Sequence, residues 1–369
     1  PFIRLNSSSL VQLGYGINQK RIRATVSSTT SNIAVEIACD KEETKELLEA
    51  NAIPVAQGDV IRRESSLERV VERMGYPLVI KPFNGNHGRG ITINIRNWEE
   101  AIKGFKVAKE ISNSVIVERF VKGYDFRVLV INYKFVAAAL RTPAAVTGDG
   151  KSTVEELINE VNKDPRRGYG HEKVLTAIQI NQMTLDILEK QGLSLDSVIE
   201  QDKIIYLKNT ANLSTGGTAT DVTDQVHPFN IFLAERIAKI IDLDICGIDI
   251  MANDLSTPLN ENGGVILEVN AGPGFRMHIA PTEGLARNIA EPVIDMMYPK
   301  GSDSRIPIIA ISGTNGKTTT TRLMAHIVKT MGYKVGFTTT DGIYIQNRMM
   351  DKGDCTGPVS AEFVLKDPT

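Results

Sequence analysis

The sequence predicts a mixed chain of α/β and α+β class. Strands and helices alternate through about residue 300, and a separate nucleotide-binding α/β unit then begins. Three stretches carry that expectation. Tyr76-Pro-Leu-Val-Ile-Lys81-Pro-Phe-Asn-Gly85-Asn-His87-Gly88-Arg-Gly90-Ile91 reads as an apolar strand that delivers a lysine, a glycine loop and a second strand. Asp249 and Glu268 stand inside otherwise apolar runs, and Ile306–Thr320 reads as strand, glycine loop with Lys-Thr, and helix start.

Bulk properties bound the rest. At roughly 100–200 residues per domain, 369 residues make two or three domains. Lys and Arg number 42 against 44 Asp and Glu, a net charge of −2, so no general basic footprint for nucleic acid is present. No apolar run approaches the roughly 18 residues a membrane helix needs. Cys39, Cys246 and Cys355 lie far apart and form neither a zinc pattern nor a disulfide framework, which reads as a reduced, cytoplasmic enzyme. The chain opens on Pro1, shows no signal peptide, and stops at Val364–Thr369 without a closing element, as a piece of a longer chain would.

In order, residues 1–35 are rich in Ser, Thr and Asn and read as a solvated entry segment; the basic run Lys20–Arg23 is suited to an acidic substrate. Asp40 with Glu43 caps a helix over 41–50. Lys41 in its first turn lies near the positive end of the dipole, which fits either service to an anion or a solvated lysine. Ile53–Val55 reads as a short strand and 65–74 as an amphipathic helix. Glycine lets a backbone approach a ligand, and loop N–H groups can surround an anion. Lys81 with the loop 84–90 therefore suits a polyphosphate, while an ordinary glycine-rich hairpin fits the same residues. A helix over 97–109 follows. The strands Ser114–Arg119, Phe126–Ile131 and Phe135–Leu140, joined by short turns, predict one antiparallel sheet. Ser152 is expected to cap a helix from Val154, 164–171 reads as a loop, and 177–191 as a helix. Ile204–Leu207 is a strand leading into Asn209–Thr218, a loop of small polar groups and glycines that fits either a plain surface loop or the grip on a carboxylate or phosphate.

Helix 228–241 precedes the strand holding Asp249; the strand Val265–Asn270 holds Glu268 and, two residues on and so on the same face, Asn270. Buried acids are normally paired or metal-bound. These three oxygen donors suit magnesium, and a buried salt bridge explains the acids as well. Residues 299–305 form a linker by composition. Beyond it a strand Ile306–Ser312, the loop Gly313-Thr314-Asn315-Gly316-Lys317-Thr318-Thr319, a helix 317–331 and a strand Lys334–Thr338 make a phosphate-binding arrangement. The longer general pattern requires glycine where Ile311 stands, so this is a shorter Gly-Thr-Asn-Gly-Lys-Thr form.

Together these residues resemble an ATP-grasp ligase followed by the start of a Mur-type ligase. That order, with Thr210-Ala-Asn-Leu-Ser-Thr-Gly-Gly-Thr218, Glu268-Val-Asn-Ala-Gly-Pro-Gly-Phe-Arg276 and Gly313–Thr320, resembles the cyanophycin synthetase family over essentially the whole chain. The resemblance implies an ATP-grasp fold, two α+β subdomains gripping ATP, over 1–300, and the truncated start of a P-loop Mur-ligase-like α/β domain over 301–369. The family's own N-terminal domain is absent from this sequence.

The activity implied is ATP-dependent polymerisation of aspartate and arginine on a cyanophycin primer, through phosphorylated carboxylates, by a cytoplasmic homo-oligomer, a tetramer by family likeness. Lys41 and Lys81 would hold ATP phosphates under a lid containing Gly85, Gly88 and Gly90. Glu118, Phe120 and Val121 would meet adenine, and Asp125 the ribose. Asp249, Glu268 and Asn270 would bind Mg2+. Arg276 would stabilise the acyl phosphate, and His87 would accept the amine proton or merely position substrate. Arg127, Asn212 and Ser214 would bind substrate. Gly313, Thr314, Asn315, Gly316, Lys317, Thr318 and Thr319 would form the second ATP site. Competing readings are a polymerase of aspartate–arginine dipeptides, another ATP-grasp carboxylate–amine ligase, and a nucleotide-binding scaffold without catalysis.

Overall fold

The computed structural model describes residues 1–84, 90–170 and 172–369. Gly85, His87 and Gly88 lie outside the described residues. Two compact units emerge: Thr30–Val293, and Pro1–Thr29 together with Ile294–Thr369. Residues 1–29, expected within the first domain, therefore pack with the C-terminal stretch.

Rather than a solvated entry, those first residues form an antiparallel sheet of β1 (Phe2–Arg4), β2 (Leu10–Leu13), β3 (Lys20–Arg23) and β4 (Val26–Ser27), in that order. The basic run is strand β3, with Ile22 opposite Val11. Gln12 is sealed inside and donates to the carbonyls of Gly14 and Leu365, each at 3.0 Å.

The larger unit starts with α1 (Asn32–Cys39) and α2 (Lys41–Ala50), the latter capped as expected by Asp40, whose carboxylate accepts from the amides of Glu42 and Glu43. Next come β5 (Gly58–Ile61), α3 (Leu67–Met74), β6 (Leu78–Pro82), β7 (Thr92–Ile95), α4 (Trp98–Ile111) and β8 (Val115–Arg119). They build an antiparallel sheet ordered β5-β8-β6-β7. Leu78, Ile80, Val115 and Val117 point to one face and pack on Leu67, Val70 and Val71 of α3 and on Ala101, Phe105 and Ala108 of α4. Each fully buried aliphatic contributes roughly 1.5–3 kcal/mol. Period-two alternation then turns Lys81, Ile116 and Glu118 to the opposite face.

A second sheet contains β9 (Tyr124–Ile131), β10 (Lys134–Thr142), β15 (Thr218–Asp221), β16 (Ile245–Ala252) and β17 (Val265–Asn270), ordered β15-β10-β9-β16-β17. The single sheet expected from three consecutive strands is thus corrected: β8 belongs with β6, because its partners are set by chain-distant pairing rather than by the short turn after it. Between β10 and β15 lie β11 (Ala145–Thr147), α5 (Val154–Asn162), β12 (Arg167–Gly168), β13 (Leu175–Thr176), α6 (Gln182–Lys190) and β14 (Ile204–Tyr206). The cap of α5 is Thr153, in a capping box with Glu156, not Ser152. Helix α6 begins only after Asn181, which caps it, so 177–180 is not helical. Ile53–Val55 forms only an isolated bridge, Val55 with Ile266. One face of the second sheet, with Val128, Val130, Ile248 and Val269, buries against α7 (Pro228–Ile241) through Leu233, Ile237 and Ile241. Helices α8 (Leu259–Asn262) and α9 (Arg276–Ile279) bracket β17, and α10 (Ala290–Met297) runs across the division between units.

The C-terminal stretch adds α11 (Lys317–Thr330), a three-stranded antiparallel sheet of β18 (Gly336–Thr339), β19 (Gly342–Ile345) and β20 (Arg348–Lys352), and α12 (Pro358–Lys366). The strand expected at Ile306–Ser312 is not formed; no described segment pairs with it, and Ile308 and Ile309 are exposed. Among the described residues no helix is long and apolar enough to cross a membrane.

Candidate active site

Within the larger unit, a cavity of about 740 Å³ is lined by Lys41 of α2, Lys81 of β6, Ile116 and Glu118 of β8 and Ile266 and Glu268 of β17. Such a volume falls in the roughly 300–1,000 Å³ range of ligand pockets. Lys81 Nζ pairs with Glu118 Oε2 at 2.5 Å. Glu118 approaches closely because β5 offers Gly58 opposite it: a Cβ there would collide with the Glu118 side chain and sit 2.6 Å from the Val117 carbonyl. Burial, with the charge of Lys81, lowers the Lys41 pKa, while Glu268 and Glu118 oppose that shift. Three lysines line this cavity: Lys81 pairs with Glu118, Lys45 donates to the Gly58 carbonyl at 3.2 Å, and Lys41 has no carboxylate partner among the described residues. Beside it, Phe120 donates its backbone N–H to the Pro77 carbonyl at 2.9 Å, and Val121 follows in the loop before β9.

The second sheet turns a polar face the other way from α7. Register sets Arg127 opposite Asp249, Arg141 opposite Asp125, Glu268 opposite Asp249 and Asn270 opposite Gly247. Thus Asp249, Glu268 and Asn270 do share one face of neighbouring strands. Both oxygens of Asp249 are already engaged, however: Arg127 donates Nε–H to one and Nη2–H to the other at 2.9 Å, and Arg141 Nη2 reaches the latter at 2.9 Å. Despite burial, Arg127 and Arg141 hold the Asp249 carboxyl below the usual carboxylate range. Glu268 accepts from Asn270 Nδ2 at 3.1 Å. Among the described residues no group of three His, Cys, Asp or Glu is gathered for a metal. Glu268 and the amide oxygen of Asn270 are hard donors of the kind magnesium takes, and Asp249 joins them only by exchanging a guanidinium for the ion.

Asp125 does not line the cavity. It accepts from Arg141 Nε at 2.9 Å, and burial, with the charge of Asp249, pushes its carboxyl up to about 6 against the pull of Arg141. Arg141, the bridge between Asp125 and Asp249, carries no signal in the sequence; only strand register reveals it.

Arg276 opens α9 and donates Nη1–H to the Lys173 carbonyl at 3.0 Å. In the 209–218 loop Asn212 is half-buried and Ser214 exposed, and the Asn212 carbonyl accepts from the amides of Thr215 and Gly217. Two residues past Arg276, His278 is 1 % exposed, and neither ring nitrogen has a partner among the described residues. Burial, with Arg127 and Arg141, lowers its pKa to about 3.

In the other unit, Gly313, Thr314, Asn315 and Gly316 form a loop before α11, whose N-cap Gly316 has φ +78°, a left-handed conformation that favours glycine. Lys317 folds back to donate Nζ to the carbonyls of Gly313 (2.7 Å) and Thr314 (3.3 Å). The Thr318 hydroxyl lies 3.3 Å from that of Thr340, and Thr319 follows on the helix.

Comparison with known proteins agrees with both pieces. Residues 46–148 match the ATP-grasp domain family and 311–362 the Mur ligase middle domain. All of this chain aligns at 56% identity with cyanophycin synthetase of Synechocystis sp., and at 55% with that of Trichormus variabilis, covering 43% and 41% of those proteins. By sequence the chain belongs to the cyanophycin synthetase family. It spans less than half the length of these relatives. Over 75% of its length it is 34% identical to a glutathione biosynthesis bifunctional protein of Clostridium perfringens, 36% of which is covered. The crystal structure of a bifunctional glutathione synthetase from Pasteurella multocida superposes with a TM-score of 0.62 at 31% identity, covering 81% of this chain and 42% of that one. The fold is therefore ATP-grasp, followed by Mur ligase middle-domain sequence.

Proposed function

We propose that this chain contributes two ATP sites to a cytoplasmic cyanophycin synthetase, one adding aspartate to the polymer backbone and one joining arginine to its side-chain carboxylate. The convergence of Lys41, Lys81, Glu118 and Glu268 on one cavity carries the reading for the first site. The lysines hold the ATP phosphates, and Glu118 with the backbone of Phe120 and Val121 meets adenine. Asp125 faces the ribose after release from Arg141. Glu268 and Asn270, with Asp249 beside them, would hold magnesium, and the ion would supply positive charge toward the phosphates and the chain-end carboxylate.

Arg276 stabilises the charge that develops when the amine of aspartate displaces phosphate. Arg127, Asn212 and Ser214 orient substrate, and His87 accepts the amine proton. In the second site, the loop Gly313–Gly316 with Lys317, Thr318 and Thr319 at the start of α11 would hold ATP, Lys317 at its β- and γ-phosphates and Thr318 at the magnesium. Aspartate, arginine and a primer are the substrates, and the assembly is a tetramer. A dipeptide polymerase is the competing reading, and the intact Lys317-Thr318 pair disfavours it.

The test supplies the full-length protein with ATP, magnesium, primer and each amino acid in turn. Phosphate release that rises with aspartate, and again when arginine is added, is the expected result. Release that depends on neither amino acid rules the polymerase out.

A further inference from the structure

Arg167 is only 8% exposed, yet no described carboxylate pairs with it. Its Nη1 donates to the carbonyls of Thr176 at 2.7 Å and Gly216 at 3.0 Å. Asp164, the acid nearest in sequence, is taken by Arg166 at 2.8 Å. Among the described residues nothing accepts from Nε or Nη2. Nor are these atoms sealed away: among the described residues the fully buried side-chain atoms without partners belong to Gln12, Thr25 and His278. A guanidinium offers five donors, and the Nε–Nη2 edge is one that grips a carboxylate with two parallel bonds. Burying such a charge against neutral carbonyls alone is costly.

Its surroundings belong to the candidate site. Gly216 closes the Asn212–Gly217 loop, and its φ of +97° and contact with Ile178 fix that turn against the segment Arg167 also grips. Arg167 pairs in register with Leu175, two residues past Lys173, whose carbonyl holds Arg276. One guanidinium thus stands between the polar loop and the segment that holds Arg276.

We infer that the free Nε–Nη2 edge of Arg167 binds a carboxylate of the substrate at this site, while Nη1 fixes the 212–217 loop. The inference rests on the ligase reading above. Two substrates bring a carboxylate there, the incoming aspartate and the polymer end.

The experiment measures KM for aspartate, for primer and for ATP in full-length wild type, Arg167→Met and Arg167→Lys, alongside melting temperature. One ionic bidentate contact is worth about 10- to 100-fold in binding. Arg167→Met should raise KM by that factor for aspartate or for primer, leaving KM for ATP in place, and Arg167→Lys should recover part of it. The substrate whose KM moves identifies the source of the carboxylate. Unchanged KM for both, or a change confined to kcat and melting temperature, overturns the inference. If Arg167→Met does not fold, Arg167→Ala with added guanidinium ion replaces it: restored KM supports the assignment, and no restoration in a folded variant overturns it. Failure of wild type to release phosphate on adding aspartate would instead strike the ligase reading itself.

Discussion

Lys81 and Glu118 show how much a single parity decides. Both stand on strands whose alternate residues are buried against α3 and α4, so a one-residue slip would place their charges in the apolar core. Lys41 reaches the same cavity from a helix start. His278 makes a different demand. Its ordinary pKa of 6.5 is lowered to about 3 in the folded chain, so the unfolded chain takes up a proton first as pH falls. The stabilising contribution of neutral His278 is complete above about pH 6.5 and is lost as pH drops toward 3, at up to about 1.4 kcal/mol per pH unit. We predict that urea melts of the wild type lose stability across pH 6.5–4.5 and that His278→Met flattens this slope. Identical slopes in both proteins would show that His278 is not the group responsible.

Among the elements, β9, β10 and β16 place Asp125, Arg127, Arg141, Gly247 and Asp249 side by side on one face. Gly247 keeps room for the guanidinium stem, since a Cβ there would lie 2.7 Å from Pro273 Cβ and 3.0 Å from Arg127 Cδ. Gly247→Ala should push Arg127 off its path to Asp249, cost about 1–3 kcal/mol of stability and lower aspartate-dependent turnover at least tenfold. Wild-type turnover would mean that Arg127 does not need that path.

The helices α2, α4 and α7 and the strand β6 were legible because capping residues and apolar periodicity are local signals. The pairing of β8 with β6, and the cross-strand meeting of Asp249 with Arg127 and Arg141, were not, because they depend on register between chain-distant strands. The same limit explains the site. Lys81, Glu118 and Glu268, which line the cavity, stand out in the sequence as charged residues in apolar strands, whereas Arg141, Arg167 and His278 acquire meaning only from their neighbours in space.

At the scale of the whole molecule, the chain divides into a unit holding the cavity and one holding the loop before α11, each with a lysine that we propose for phosphate. Strand Ile306–Ser312 failed as a local prediction because an isolated apolar stretch needs a neighbour to become a strand. Two separate phosphate sites, as proposed, would make the two chemistries separable. The most direct measurement compares Lys81→Ala and Lys317→Ala in the full-length protein, following aspartate and arginine incorporation into primer independently. The account predicts that Lys81→Ala abolishes aspartate addition, and that Lys317→Ala abolishes arginine addition while one aspartate is still added to a suitable primer. Loss of both incorporations from one lysine, or of neither from Lys81→Ala, would contradict it.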